Sequence, residues 1–295
     1  MKLKDFRYER IYRLTRRLSN RQIMMLLAMV VGLLAGLGTY VFEILLYAIK
    51  SCLVNWFPVG RAHFLLLISP AVGIILATLF VKYIVRDNIS EGVTRVLYAM
   101  SRRDSRIPAH NCWTSIVGGA TTIGFGGSVG PEAPIVLTGA AIGSNVGRLA
   151  RLNYRNTTLM LCCGAGAAIA AIFKAPITGV VFVLEILMLD ITASSVIPLL
   201  IASITATTIA FVFRGFDPII AVSLTSADAF ELQQIPMFIL LGVLCGLMSY
   251  YFTSVNSRIG AFYKTIRSQS RKWLYAGITL GVLLFVFPPL YGEGY

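Results

Sequence analysis

Gly126-Gly127-Ser128-Val129-Gly130-Pro131-Glu132-Ala133-Pro134-Ile135-Val136 is the stretch whose reading decides the fold of this chain. It places three glycines, two prolines and one carboxylate inside a long apolar region. Glycine admits positive φ and lets the backbone approach a ligand closely. Proline suits the first turn of a helix, where its missing N–H costs nothing. The pattern predicts a tight irregular turn feeding a helix start, with Glu132 in that first turn. Unpaired N–H groups and the positive end of the helix dipole make such a start an anion site. Irregular backbone at membrane depth is tolerated only where it is buried in protein or lines a cavity. The stretch therefore reads as an anion-binding loop inside a membrane, with Glu132 as its resident negative charge.

The composition around it agrees. The 295 residues are 57% hydrophobic and 13% charged, with a mean hydropathy of +0.76, whereas soluble domains carry about 25% charged residues. The class is an all-α polytopic membrane protein. Five cysteines (Cys52, Cys112, Cys162, Cys163, Cys245) lie mostly in apolar segments. None has metal-ligand spacing with the two histidines, His63 and His110, so they read as small packing residues and no metal or cofactor is expected. The net charge of +13 is clustered between apolar runs, where basic residues set membrane orientation. The expected partner is a lipid bilayer rather than nucleic acid.

Working outward, residues 1–21 carry eight Lys and Arg, with Leu3, Phe6, Ile11, Leu14 and Leu18 near helical spacing. This predicts a basic amphipathic helix on the cytoplasmic membrane surface. Residues 22–51 and 63–85 form a pair of apolar helices, the second with Pro70 inside it. Residues 87–100 are too short and polar to span and read as a helix entering from the inner side. The uncharged run 111–131 is rich in Gly, Thr and Ser, which let helices approach closely. Helices are expected over 133–147 and 156–173, a break at Lys174-Ala175-Pro176, and a helix over 177–189 with the single acid Glu185. Residues 191–213 are long enough to span. The acidic bias of 214–234 predicts an outside loop, 234–255 an inward span, the basic 256–272 a cytoplasmic loop and 273–290 an outward span.

Two parts of the chain match. Gly32-Leu33-Leu34-Ala35-Gly36-Leu37-Gly38-Thr39-Tyr40-Val41-Phe42 pairs with Gly242-Val243-Leu244-Cys245-Gly246-Leu247-Met248-Ser249-Tyr250-Tyr251-Phe252. Val72-Gly73-Ile74-Ile75-Leu76 pairs with Leu280-Gly281-Val282-Leu283-Leu284, and Ser90-Glu91-Gly92 with Gly292-Glu293-Gly294. The three matches keep their order. The first copy (22–213) begins inside and the second (235–295) begins outside, across the loop 214–234. That is an inverted-topology repeat, an architecture that places ion sites at the midplane between broken helices. The second copy lacks counterparts of 126–136 and of Lys174–Glu185, which leads us to expect a parent protein with at least ~120 further residues.

These residues resemble the ClC family of chloride channels and proton-coupled chloride transporters. Gly130-Pro131-Glu132-Ala133-Pro134 is similar to the family's G-[RKP]-E-G-P loop, with Ala133 for the usual glycine. Ala171-Ile172-Phe173-Lys174-Ala175-Pro176-Ile177-Thr178-Gly179-Val180-Val181-Phe182-Val183-Leu184-Glu185 resembles its A-x-F-x-A-P-[LI]-x-G-x-x-F-x-x-E element. With the helix order, the resemblance covers about residues 20–295. It implies an inverted-repeat fold with broken and re-entrant helices, here with the second repeat incomplete. It makes Glu132 the gating glutamate, which occupies an anion site and swings aside for chloride. Gly130, Pro131, Ala133 and Pro134 would bind the anion through helix N-termini. The family's G-S-G-I-P loop is best matched by Ser90-Glu91-Gly92-Val93-Thr94, so Glu91 falls on the serine position and no proline follows. Ile186 stands where proton-coupled members often carry an inner glutamate. This departure favours passive conduction over chloride/proton exchange. Family members pair as homodimers, so a homodimer is expected of the full-length form. The expected location is a bacterial inner membrane or its equivalent, with the N-terminus cytoplasmic.

Each singled-out residue also has a plainer reading. Glu132 is in the position of a helix cap, yet a carboxylate deep in a membrane costs on the order of 2–3 kcal/mol and marks a pathway. Lys174 either draws anions to the pathway mouth or snorkels to the interface. Glu185 is a proton relay or, the favoured reading, a buried acid bonded to neighbouring helix starts. Glu91 is favoured as a helix-start cap over a pore residue. Ser128 and Thr138 either coordinate an anion or bond their own helix. Among whole-protein alternatives, an intramembrane enzyme would need a nucleophile–base pair or metal ligands at depth, which the two histidines do not supply. A non-conducting fragment is the remaining alternative.

Overall fold

A computed structural model describes residues 19–56, 62–87, 92–102, 104–188, 192–216, 235–266, 268–287 and 290–292. Residues 1–18 of the predicted amphipathic helix (1–21) and residues 217–234 of the predicted loop (214–234) lie outside the described residues, as do Ser90 and Glu91. The described chain is helical, with no strand among these residues. The helices are α1 (Asn20–Trp56), α2 (Ala62–Phe80), α3 (Gly92–Arg102), α4 (Asn111–Gly124), α5 (Glu132–Leu149), α6 (Tyr154–Ile172), α7 (Pro176–Ile186), α8 (Ala193–Arg214), α9 (Ile235–Thr265) and α10 (Gln269–Val286).

Among the described residues, five stretches are long and apolar enough to cross a membrane: Asn20–Leu53, Ile68–Val85, Tyr154–Ile172, Ser194–Arg214 and Ile235–Thr265. The 11 residues of α3 and the 11 of α7 fall short of the ~20 a span needs. They are the interrupted helices the sequence predicts. Each break has a local cause. α2 closes in a π-helical turn, Val81–Val85, and Arg86 takes a left-handed conformation with its N–H on the Val81 carbonyl at 2.8 Å. Pro176 starts α7 at its first turn. Asn153 caps α6 by accepting from the Asn156 N–H, and Thr192 with Ser195 forms a capping box at α8.

α6 runs through the centre, buried from Leu159 to Ile172. The helices around it close on small residues. A Cβ added to Gly139 would strike the Gly164 carbonyl, and one on Gly164 the Gly139 carbonyl, so α5 and α6 touch backbone to backbone. Gly166 and Gly179 do the same for α6 and α7, and Gly32 and Gly36 seat α1 on Ala202 and Ala206 of α8. Gly277 of α10 lies against Ala71 of α2, joining members of the two sequence copies.

α4 stops at Gly124, just ahead of the expected turn, where Gly126 takes φ +94° and the Gly127 N–H turns back on the Thr122 carbonyl. Two boundaries depart from expectation. α7 ends at Ile186, where Met188 adopts a positive φ. α9 continues ten residues past Val255; the basic segment has no proline to stop it, so charge bias marks a side of the membrane but not the end of a helix.

Candidate anion-binding site

The opening stretch folds as its residue types demand. After Gly124 the chain tightens: the Gly126 N–H donates to the Ile123 carbonyl at 2.9 Å and the Gly127 N–H to the Thr122 carbonyl at 2.8 Å. A Cβ on Gly127 would sit 2.6 Å from that same carbonyl oxygen. Val129 donates to the Gly127 carbonyl, and Pro131, buried, stands as the N-cap of α5. Glu132 is the first helical residue, with no acceptor inside the helix for its own N–H or that of Ala133. Its carboxylate folds back over Gly130, so that a side chain at 130 would collide with Oε2. The negative charge lies over the loop that precedes the dipole's positive end.

A second helix begins at the same place. A Cβ on Gly92, the first residue of α3, would lie 2.7 Å from both the Cβ and the carbonyl oxygen of Ala133. The starts of α3 and α5 therefore meet, and of the predicted site Gly92, Gly130, Pro131, Glu132, Ala133 and Pro134 are brought together. Pro134 packs on α4, 2.7 Å from the Cβ position of Gly119. Thr138, one turn further along α5, is buried with no hydrogen-bond partner for its hydroxyl among the described residues. Ser128 is exposed.

The entrance to α3 is tied down by charge. Asp87 pairs with Arg95 and accepts His110 Nε2 at 3.3 Å, linking the end of α2 to α3 and to the start of α4.

Lys174 and Glu185 are elsewhere. Lys174 takes a left-handed conformation (φ +51°), and its ammonium donates to the carbonyl of Gly215 at 2.9 Å. This contact ties Lys174 to the residue that follows α8. Beside it Arg214 pairs with Glu43 of α1 at 2.5 Å and donates to the Ile172 carbonyl. Sequence reading missed this pair, although Glu43 as the one acid in an apolar run was its signal. Glu185 is exposed, which corrects the expected buried acid: it shares the open face of α7 with Thr178 and Val181, opposite the packed Gly179, Val180, Val183 and Leu187. No three or more His, Cys, Asp or Glu converge as a metal site among the described residues.

A family model described as "Voltage gated chloride channel" matches residues 72–295. The "Putative chloride channel protein ClcB-like" of Ralstonia nicotianae is 28% identical over 234 residues, 78% of this chain and 54% of its own length. The "H(+)/Cl(-) exchange transporter ClcA" of Vibrio cholerae is 29% identical over 287 residues, 91% of this chain and 60% of its own. The chain thus spans somewhat over half the length of the curated relatives it matches. Among solved structures, a slow cyanobacterial Cl-/H+ antiporter superposes with a TM-score of 0.77 at 26% identity, over 94% of this chain and 66% of its own. A CLC-type fluoride/proton antiporter shares the fold, with a TM-score of 0.76 at 24% identity over 92% of this chain and 67% of its own. Interrupted helices whose starts meet at Ala133, apolar spans around them and a family match over most of the chain lead to one assignment: this integral membrane protein belongs to the voltage gated chloride channel, or ClC, family.

Proposed function

We propose that this chain contributes to a transmembrane pathway for chloride or a similar small anion, with Glu132 as its gate. One observation carries the reading: the Glu132 carboxylate lies over Gly130, at the point where the starts of α3 and α5 meet. A carboxylate there takes the place an anion would take on the unpaired N–H groups, and it must turn away to admit one. Gly130 leaves room for the movement. Pro131, Ala133 and Pro134 hold the loop's shape, and Gly92 brings the second helix start alongside, with Ser90 and Glu91 leading into it.

Proton-coupled exchange is the leading form of this reading. The Vibrio relatives are named H(+)/Cl(-) exchange transporters, and the cyanobacterial structure is a Cl-/H+ antiporter. Proton transfer to Glu132 would release its carboxylate from the loop, coupling the two ions at one side chain. Passive conduction is the second reading, favoured by Ile186, an apolar residue where an inner proton acceptor would stand. The family's expected arrangement, a homodimer in a bacterial inner membrane with its N-terminus cytoplasmic, is proposed with it.

The test is chloride efflux from liposomes holding the purified chain, with proton movement recorded in parallel. Exchange predicts proton uptake driven by the chloride gradient; chloride flux without it selects passive conduction. Glu132→Ala is expected to give chloride flux that no longer responds to pH between 4 and 7.5 in either case. Unchanged pH dependence in that variant would remove Glu132 from the gate, and absence of flux from the unaltered chain would leave a non-conducting piece.

A further inference from the structure

Away from the anion loop, the basic end of the bundle holds a cavity of about 690 Å³ between the starts of α1, α6 and α8 and the end of α3. Its polar rim carries Arg21 of α1 and Arg155 of α6, and among the described residues no Asp or Glu lines it. Neither guanidinium has a hydrogen bond or ion pair with another described residue, and both residues are exposed. The helix starts around them are otherwise provided for: Asn153 and Thr192 cap α6 and α8, and the Tyr154 hydroxyl donates to the Met100 carbonyl. What the rim has left over is two forked cations. Behind it the wall is apolar, with Met24 and Met25 of α1 and Ile197 and Pro198 of α8.

Depth fixes what such a site can take. The cavity lies level with the first residues of two spans, Tyr154–Ile172 and Ser194–Arg214, so its rim is at a membrane interface and its wall faces toward the hydrocarbon. α3 and α5 end at the same level with Arg102 and Arg148 in their last turns. Basic pockets between spans at this depth suit anionic lipid head groups, and a guanidinium matches two phosphate oxygens at once.

We propose that this cavity binds a phosphate group between Arg21 and Arg155, and that the phosphate belongs to an anionic phospholipid whose acyl chain lies along Met24, Met25 and Ile197. Methionine's unbranched, pliable side chain is suited to an acyl chain that adopts no single shape. The site does not touch Glu132 or its loop, so binding is measured without transport and stands apart from the reading of the gate.

The experiment titrates the purified chain in neutral detergent with three probes: dioleoylphosphatidylglycerol, dioleoylphosphatidylcholine and inorganic phosphate. Native mass spectrometry counts retained lipid and a thermal shift reports the consequence for stability. Phosphatidylglycerol is expected to bind at least tenfold more tightly than phosphatidylcholine. The double variant Arg21→Gln/Arg155→Gln is expected to lose at least tenfold of that affinity, Arg21→Lys/Arg155→Lys to keep most of it, and Arg258→Gln on α9 to change nothing. Circular dichroism checks that the glutamine pair is folded; if it is not, the single variant Arg155→Gln, with a smaller loss, replaces it. Phosphatidylglycerol affinity unchanged in a folded glutamine variant, or equal affinity for phosphatidylcholine, overturns the site. Inorganic phosphate binding as tightly as phosphatidylglycerol overturns the lipid as its source.

Discussion

α1 and α9 carry the same pattern and live in opposite surroundings. Gly32 and Gly36 of α1 press on the backbone of Ala202 and Ala206; a Cβ added at Gly242 or Gly246 of α9, their matches, would meet nothing within 4 Å among the described residues. Phe42 is fully buried, and its match Phe252 is 70% exposed. Ala35 is 1% exposed, and the corresponding Cys245 is open. The same small-residue register therefore specifies a helix that can be closely packed, not one that is. Burial comes from the neighbour, which for α1 is α8 and for α9 is absent among the described residues. In lipid this matters more than in water, because an apolar helix loses little by facing hydrocarbon and gains chiefly from close packing.

The contrast can be broken at its centre by adding bulk to matched positions. Gly32→Leu would drive a side chain into the α8 backbone and is expected to cost about 3 kcal/mol, whereas Gly242→Leu enters open space and should leave the midpoint of thermal unfolding in detergent where it was. Equal losses in the two variants would show that the copies are packed alike. Charge gives the next largest difference. Arg214→Gln removes the ion pair to Glu43, within α1, and is expected to cost about 2 kcal/mol, below the 3–5 of a fully buried pair because both groups keep some exposure. Arg258→Gln on α9 should fall within about 0.5 kcal/mol of the parent. Both are read by the same unfolding measurement.

Thiol labelling sharpens the comparison without adding bulk. In a chain with its other cysteines replaced by serine or alanine, Ala35→Cys is expected to react with a maleimide at least about tenfold more slowly than Cys245, since burial limits access. Comparable rates would mean that α1 and α8 separate readily. The smallest effect is expected at a single hydroxyl. Thr207 of α8 donates to the Ala170 carbonyl of α6 at 3.1 Å, so Thr207→Val should cost about 0.5–1 kcal/mol. Ser249→Ala on exposed α9 should cost nothing measurable.

The fold was legible where the chain advertises its own constraints. Pro131, Pro134 and Pro176 mark helix starts whatever surrounds them, and the run of small residues from Gly139 to Gly179 announces helices in contact. The convergence of Gly92 and Ala133 was legible only through a family resemblance, because nothing local relates two loops forty residues apart. The Glu43–Arg214 and Asp87–His110 contacts were not legible: each joins helices whose relative rotation no sequence pattern states. Lys174 was left between two roles, since its ammonium is held by the carbonyl of Gly215, an acceptor that every residue possesses. Glu185 was misplaced for the complementary reason. An acid in an apolar helix suggests burial, but Glu185 falls on the open face of α7 with Val181, while Val183 and Leu187 take the packed side.

On the proposed reading, the back-folded carboxylate of Glu132 sets a threshold for whatever the loop accepts. It is tied to its own cradle by two residues of chain, so its effective concentration there is on the order of millimolar or higher. A free anion must compete with a ligand that never diffuses away. Occupancy by an external ion would then depend on how that ion compares with a fixed internal rival. On the proposed reading, a single substitution at Gly130 would shift this competition without removing a charge, because crowding the carboxylate out of its resting place hands the site to the incoming ion.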